Sequence, residues 1–198
     1  MANPENPTIS VESINFQAGI EDATLEGLTR LVVPVGWGRN PHNSLLPHHG
    51  EGALRFATQV ATALQFGENG NSGLIVCSTD VELRNDGYRF DPRDRNQSLR
   101  EAAGLQLKEA VRVATANGAS KDIVRTSLGT LAEAWEGLQE DPRKIAILGS
   151  KKHLDAIKAA TGQDNVSAIV VPRRLVSQSY RAAFRRYHRD ALDFSVSH

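Results

Sequence analysis

Residues 144–154 run Lys144-Ile145-Ala146-Ile147-Leu148-Gly149-Ser150-Lys151-Lys152-His153-Leu154. An apolar run of strand length ends at a glycine. A serine suited to cap a helix follows, and apolar residues then recur at Leu154, Ile157 and Ala160 until Gly162. Strand, tight turn and helix in that order make half of a βαβ unit. The same order recurs on both sides. Leu31-Val32-Val33-Pro34-Val35, Leu74-Ile75-Val76-Cys77 and Ser167-Ala168-Ile169-Val170-Val171 are further apolar runs, and Asp122-Ile123-Val124-Arg125 is a weaker one. Most are near-continuous rather than alternating, as in strands of a parallel sheet buried on both faces.

Helical spacing fills the gaps. Leu54, Ala57, Val60, Ala61 and Leu64 share one face; Leu99, Ala103, Leu107, Ala110, Val111 and Ala114 share another, stopped by Asn117-Gly118. Leu131, Ala134, Trp135 and Leu138 make a shorter face closed by Asp141-Pro142, and a last helix carries Tyr180, Phe184 and Tyr187. Residues 1–30 are a lead-in that can add a helix through Ile20, Leu25, Leu28 and Leu31. Residues 31–198 then read as one domain of five β-α units. The expected fold is α/β: a three-layer Rossmann-like sandwich around a mainly parallel five-stranded sheet. The long irregular stretch from Asp80 to Gln97 is either a functional lid or a simple loop.

Composition narrows the function. The 198 residues hold 23 basic and 23 acidic side chains and are 40 % hydrophobic. A net charge of zero gives no global field to gather nucleic acid or an anionic membrane. No apolar run reaches the roughly 18 residues of a membrane span. Cys77 is the single cysteine, so no intrachain disulfide implies secretion. The start, MANPENPTIS, lacks the basic and apolar segments of a signal peptide. A cytoplasmic domain with a small-molecule ligand is the expectation, and the composition leaves room for a homo-oligomer. Residues 171–190 depart from the balance: Arg173, Arg174, Arg181, Arg185, Arg186 and Arg189 face one acid, Asp190. They form either a solvated helix face or a contact for an anionic partner.

In open parallel sheets ligands bind beyond the carboxyl ends of the strands, near the point where strand order reverses. The loops there are Gly36-Trp37-Gly38-Arg39, Ser78-Thr79-Asp80, Thr126-Ser127-Leu128-Gly129-Thr130, Gly149-Ser150 and Pro172-Arg173-Arg174. Small, hydroxyl-bearing and cationic residues suit a phosphate, carboxylate or ribose on helix N-termini. Gly36-x-Gly38 is half of a dinucleotide fingerprint, or a tight turn. Ser127 and Thr130 either cap the next helix, with Thr130 and Glu133 as a capping box, or bind ligand. His153 falls in the first turn of its helix, where the positive helix end lowers its pKa. A neutral imidazole there serves as base or donor, or is merely exposed. His42, His48, His49 and Glu51 match no metal-ligand spacing, and no metal is expected. A serine nucleophile among Ser127 and Ser150, with His153 and Asp80, lacks the supporting Gly-x-Ser-x-Gly turn.

Several of these loops, in order, resemble the YdcF/SanA/ElyC-like domain family of bacteria. The matching pieces are Gly36-Trp37-Gly38, Arg55 within Gly52-Ala53-Leu54-Arg55-Phe56-Ala57, Ser98-Leu99-Arg100-Glu101, Thr126 to Ala134, and Ser150-Lys151-Lys152-His153. The resemblance covers about residues 30–190. Cys77-Ser78-Thr79-Asp80 stands in place of the family's Ser-Gly-Gly turn, and Gly129 and Ala134 in place of two asparagines. The resemblance implies a Rossmann-like sheet with a pocket at the strand ends. It also implies a cytoplasmic branch and a nucleotide-like or adenosyl ligand, S-adenosylmethionine included, with group transfer or hydrolysis as the reaction. On that basis Gly36, Gly38, Arg39, Arg55, Ser78, Ser127, Thr130 and Ser150 are the expected binding residues. His153 and Glu101 are the expected acid and base. The alternative is a non-catalytic module that binds a metabolite or partner through its Arg-rich C-terminal helix.

Overall fold

The computed structural model describes residue 25 and residues 27–36, 46–79, 99–164 and 166–171. Five strands and four α-helices alternate through them: β1 (Arg30–Pro34), α1 (His48–Ala63), β2 (Leu74–Ser78), α2 (Leu99–Ala116), β3 (Val124–Ser127), α3 (Leu131–Glu136), β4 (Ile145–Gly149), α4 (Lys151–Thr161) and β5 (Ser167–Val170). All pairings are parallel, and the sheet order is β3-β2-β1-β4-β5. The expected Rossmann-like α/β fold is present. The chain winds outward from β1 to β3, returns across the sheet, and winds the other way through β4 and β5. Strand order therefore reverses between β1 and β4.

Alternation along each strand divides the core in two. Leu31, Val33, Ile75, Cys77, Ala146 and Leu148 pack on the α1/α2 side. Val32, Val76, Ile145 and Ile147 pack with Leu131, Trp135 and Ile157 on the α3/α4 side. Central strands covered on both faces favour apolar residues at successive positions, hence their near-continuous apolar runs. Leu25 and Leu28 of the lead-in are buried on the α1/α2 side.

Three boundaries differ from the sequence reading, each for a local reason. The first strand begins at Arg30 rather than Leu31 and ends at Pro34, with Leu31 in register with Ile75 and Ala146 as a strand residue and not the end of a lead-in helix. The third strand begins at Val124 rather than Asp122, because Ser120 caps a 3-10 turn over Lys121–Ile123 by accepting the Asp122 N–H. Helix α3 stops at Gly137, and Asp141-Pro142 instead opens another 3-10 turn over Pro142–Lys144. Gly162 ends α4 with φ +67°, a left-handed cap that glycine adopts without strain. The Asp80–Gln97 stretch, the helix of Tyr180, Phe184 and Tyr187, and all six arginines of the basic segment lie outside the described residues.

Candidate functional site

Pro34 ends the central strand. The backbone N–H of Val35 donates to the Ser78 carbonyl at 2.7 Å, so odd positions of β1 bond toward β2 and even ones toward β4. Pro34 therefore faces β4 with no N–H to offer. The β1–β2 register runs through Pro34–Ser78, whereas the β1–β4 register ends at Val32–Ile147. The β1–β4 ladder therefore ends one rung short at the switch point, on the edge where such sheets bind ligands.

Two helices start beside this edge, one from each face. Gly50 in the first turn of α1 lies against the Val35 carbonyl, where a Cβ has no room. Gly149 ends β4 beneath the His153 ring: a Cβ there would stand 2.6 Å from Nδ1 and 3.3 Å from Pro34 Cγ. Glycine at these positions brings both helix starts close to the strand ends. Gly36 follows in a half-buried turn; its partners in the fingerprint, Gly38 and Arg39, lie outside the described residues.

His153 is 1 % exposed, which excludes the reading of a solvated first-turn histidine. Its Nδ1 accepts the backbone N–H of Ser150 at 3.0 Å, with Ser150 Oγ also at 3.0 Å. The pKa is pushed down to about 4 by burial first and by the Lys152 charge second. The direction agrees with the helix-end argument, but desolvation is the larger cause. The imidazole is neutral at pH 7.

Ser127, Ser78 and Pro34 lie on one rung across β3, β2 and β1. By alternation from Val76 they face the α3/α4 side, the side of His153. Ser78 is fully buried, and its Oγ has no hydrogen-bond partner among the described residues. Thr130 forms the capping box with Glu133: its Oγ1 accepts the Glu133 N–H at 3.1 Å and its N–H donates to Glu133 Oε2 at 2.8 Å.

Other expected site residues stand apart. Glu101 is exposed in the first turn of α2, on the α1/α2 side, whereas His153 opens α4 on the opposite side. The sheet lies between the two layers. Arg55 commits its half-buried guanidinium to neighbouring side chains. Nε and Nη2 donate to Glu51 Oε1 at 3.2 and 2.8 Å, and Nη1 donates to Asn117 Oδ1 at 3.0 Å. The rings of His48 and His49 lie 4.1 Å apart. Among the described residues no three His, Cys, Asp or Glu side chains group to hold a metal, and His42 lies outside them. No helix among the described residues is long and apolar enough to cross a membrane.

No family model, curated protein or solved structure matches this chain. What the site can do follows from its own atoms.

Three residues escape the sequence reading, Pro34 at this edge and Thr79 and Gln106 on the α1/α2 side. Pro34 read simply as part of an apolar strand, although a proline at the end of a central strand is itself a signal of a broken ladder. Thr79 appeared only as a loop member. Gln106 is a polar residue inside the apolar row of α2, and that interruption is its signal.

Proposed function

We propose that the β1–β4 switch point binds a nucleotide-like or adenosyl ligand, S-adenosylmethionine among the candidates, in the manner the YdcF-like resemblance implies. The observation that carries this reading is the fully buried Ser78 hydroxyl, without a hydrogen-bond partner among the described residues, on the rung it shares with Pro34. A hydroxyl in that state costs stability until something bonds it, and a ligand hydroxyl or amine does so. Ser127 extends the same hydroxyl-bearing rim, and Gly36 follows β1 in a half-buried turn at the same edge. The start of α4, with exposed Lys151 and Lys152, favours the anionic part of such a ligand.

The fit is best for a ligand with hydroxyl groups at one end and negative charge at the other. S-adenosylmethionine would bring an electrophilic methyl group for transfer. Ser78 and Ser127 would meet its polar face, and the α4 start its carboxylate. Binding is favoured over acid–base chemistry between Glu101 and His153, because these two stand on opposite sides of the sheet. A cytoplasmic setting belongs to the same proposal.

Isothermal titration of the full chain with S-adenosylmethionine, adenosine monophosphate and ribose 5-phosphate tests it. Saturable binding that Ser78→Val weakens about tenfold is the expected result. Absence of heat with every one of them, on folded protein, removes the reading.

A further inference from the structure

The sequence holds two Asn-Gly pairs, Asn69-Gly70 and Asn117-Gly118. Such a pair can rearrange without an enzyme. The backbone nitrogen of the second residue attacks the side-chain amide carbon of the first, and a glycine has no Cβ to obstruct that approach. By sequence the two pairs are equivalent, and all four residues are exposed. Their hydrogen bonds separate them.

In Asn117-Gly118 every reacting group is engaged. Asn117 Nδ2 donates to the Val113 carbonyl at 2.7 Å, and its Oδ1 accepts from Arg55 Nη1 at 3.0 Å. The Gly118 N–H donates to the Thr115 carbonyl at 3.1 Å. Attack at this pair must first break the bonds that close the end of α2.

Asn69-Gly70 is held far less. The pair forms the centre of a turn closed by the Asn71 N–H, which donates to the Glu68 carbonyl at 2.8 Å. With φ +49° at Asn69 and +80° at Gly70, the turn is type I′. The Gly70 N–H has no acceptor among the described residues. The Asn69 side chain has one long bond, from Nδ2 to Gln65 Oε1 at 3.4 Å. Rotation of the central peptide alone converts type I′ to type II′ and takes ψ of the first central residue to about −120°. That rotation swings the Gly70 nitrogen toward the Asn69 side chain while the closing bond of the turn persists. Glycine accepts the matching change of φ at position 70.

We infer that Asn69 is a site of spontaneous deamidation and isomerisation in the folded protein, and that Asn117 is protected. The Gly70 nitrogen gives its proton to solvent base and bonds to Asn69 Cγ. The Cγ–Nδ2 bond breaks, and the side-chain nitrogen takes a proton from water and leaves as ammonia. Water then opens the cyclic imide at either carbonyl, leaving aspartate or isoaspartate in place of the asparagine. One water is consumed and one ammonia released, with no oxidation or reduction. The turn precedes Leu74, the first residue of β2, at the amino edge of the sheet. It is remote from the switch point, so the reaction is independent of any ligand there.

The test incubates the full chain in mildly alkaline buffer, with and without urea, followed by tryptic digestion and tandem mass spectrometry. Residues 56–84 carry Asn69 and residues 113–121 carry Asn117. Deamidation adds about 1 Da at the reacting position. In the folded chain position 69 should react about tenfold faster than position 117, whose hydrogen bonds must open first. In urea the two rates should converge. Gly70→Ala should slow position 69 about tenfold, because its Cβ stands beside the attacking nitrogen. Equal rates at the two positions in the folded chain overturn the inference. So does a position 69 that reacts in urea and not in the folded chain. An unchanged rate in Gly70→Ala also overturns it, since water rather than the Gly70 nitrogen would then be the attacking group.

Discussion

The backbone N–H of Ser150 donates to His153 Nδ1 at 3.0 Å. A backbone N–H can only donate, so that nitrogen carries no proton and the neutral ring keeps its proton on Nε2. One short-range bond therefore sets the tautomer of the buried histidine beside the switch point. The Ser150 hydroxyl, also at 3.0 Å, can reach the same nitrogen only as a donor.

Stability should fall in mild acid. His153 is held at about 4 in the folded protein, against an ordinary value of 6.5. Between those values the unfolded chain binds the extra proton, so its population rises as pH drops from about 6.5 toward 4. Above 6.5 the His153 contribution is fully present and flat. The full effect is on the order of 3 kcal/mol. His49, lowered by burial and by His48, adds with the same sign. Urea titrations at several pH values should show the slope, and His153→Gln should remove most of it. An unchanged slope in that variant contradicts the assignment.

Gly149→Ala should damage the site more than its single methyl suggests. The new Cβ would lie 2.6 Å from His153 Nδ1, displacing the ring and taking the acceptor away from the Ser150 N–H. A loss of about 1–3 kcal/mol is expected, together with weaker ligand binding in the titrations above. Retention of wild-type stability would show that the ring does not sit against Gly149.

Arg55→Met should destabilise the packing of α1 on α2. Glu51 is 1 % exposed and would lose its guanidinium, and Asn117 would lose a donor. Arg55 is itself one-third exposed, so the cost falls below that of a fully buried pair, at about 1–3 kcal/mol. Arg55→Lys should recover only part, because an ammonium cannot span both partners. Denaturant unfolding of the three proteins gives the order.

Cys77 should resist alkylation. Burial pushes its thiol up to about 12, and no part of the residue is exposed. Iodoacetamide at pH 8 should leave the native chain unmodified and label it in denaturant. Labelling of the native chain at the same rate would place the thiol at the surface.

The central strands were legible because burial on both faces writes an unbroken apolar run. Leu31 to Val35, Leu74 to Cys77 and Ile145 to Leu148 are such runs. Strand β3 was misplaced by two residues because it lies at the sheet edge. Arg125 and Thr126 are exposed there, so the run that would have marked it is interrupted. The capping box of Thr130 and Glu133 was legible too, since its partners are three residues apart. So was the nearness of Ser150 to His153, though not the burial of the ring.

The sequence by itself determined the alternation of strands and helices, the helix caps and the class of fold, because these depend on periodicity and on neighbours a few residues apart. Tertiary structure decided the rest. Strand order placed the switch point between β1 and β4, and Pro34 ended the ladder there by facing β4 rather than β2. The crossover connections set Glu101 and His153 on opposite sides of the sheet and directed Arg55 to Asn117. Such outcomes depend on pairings between distant segments, and on the side of the sheet each helix covers, neither of which a local pattern encodes.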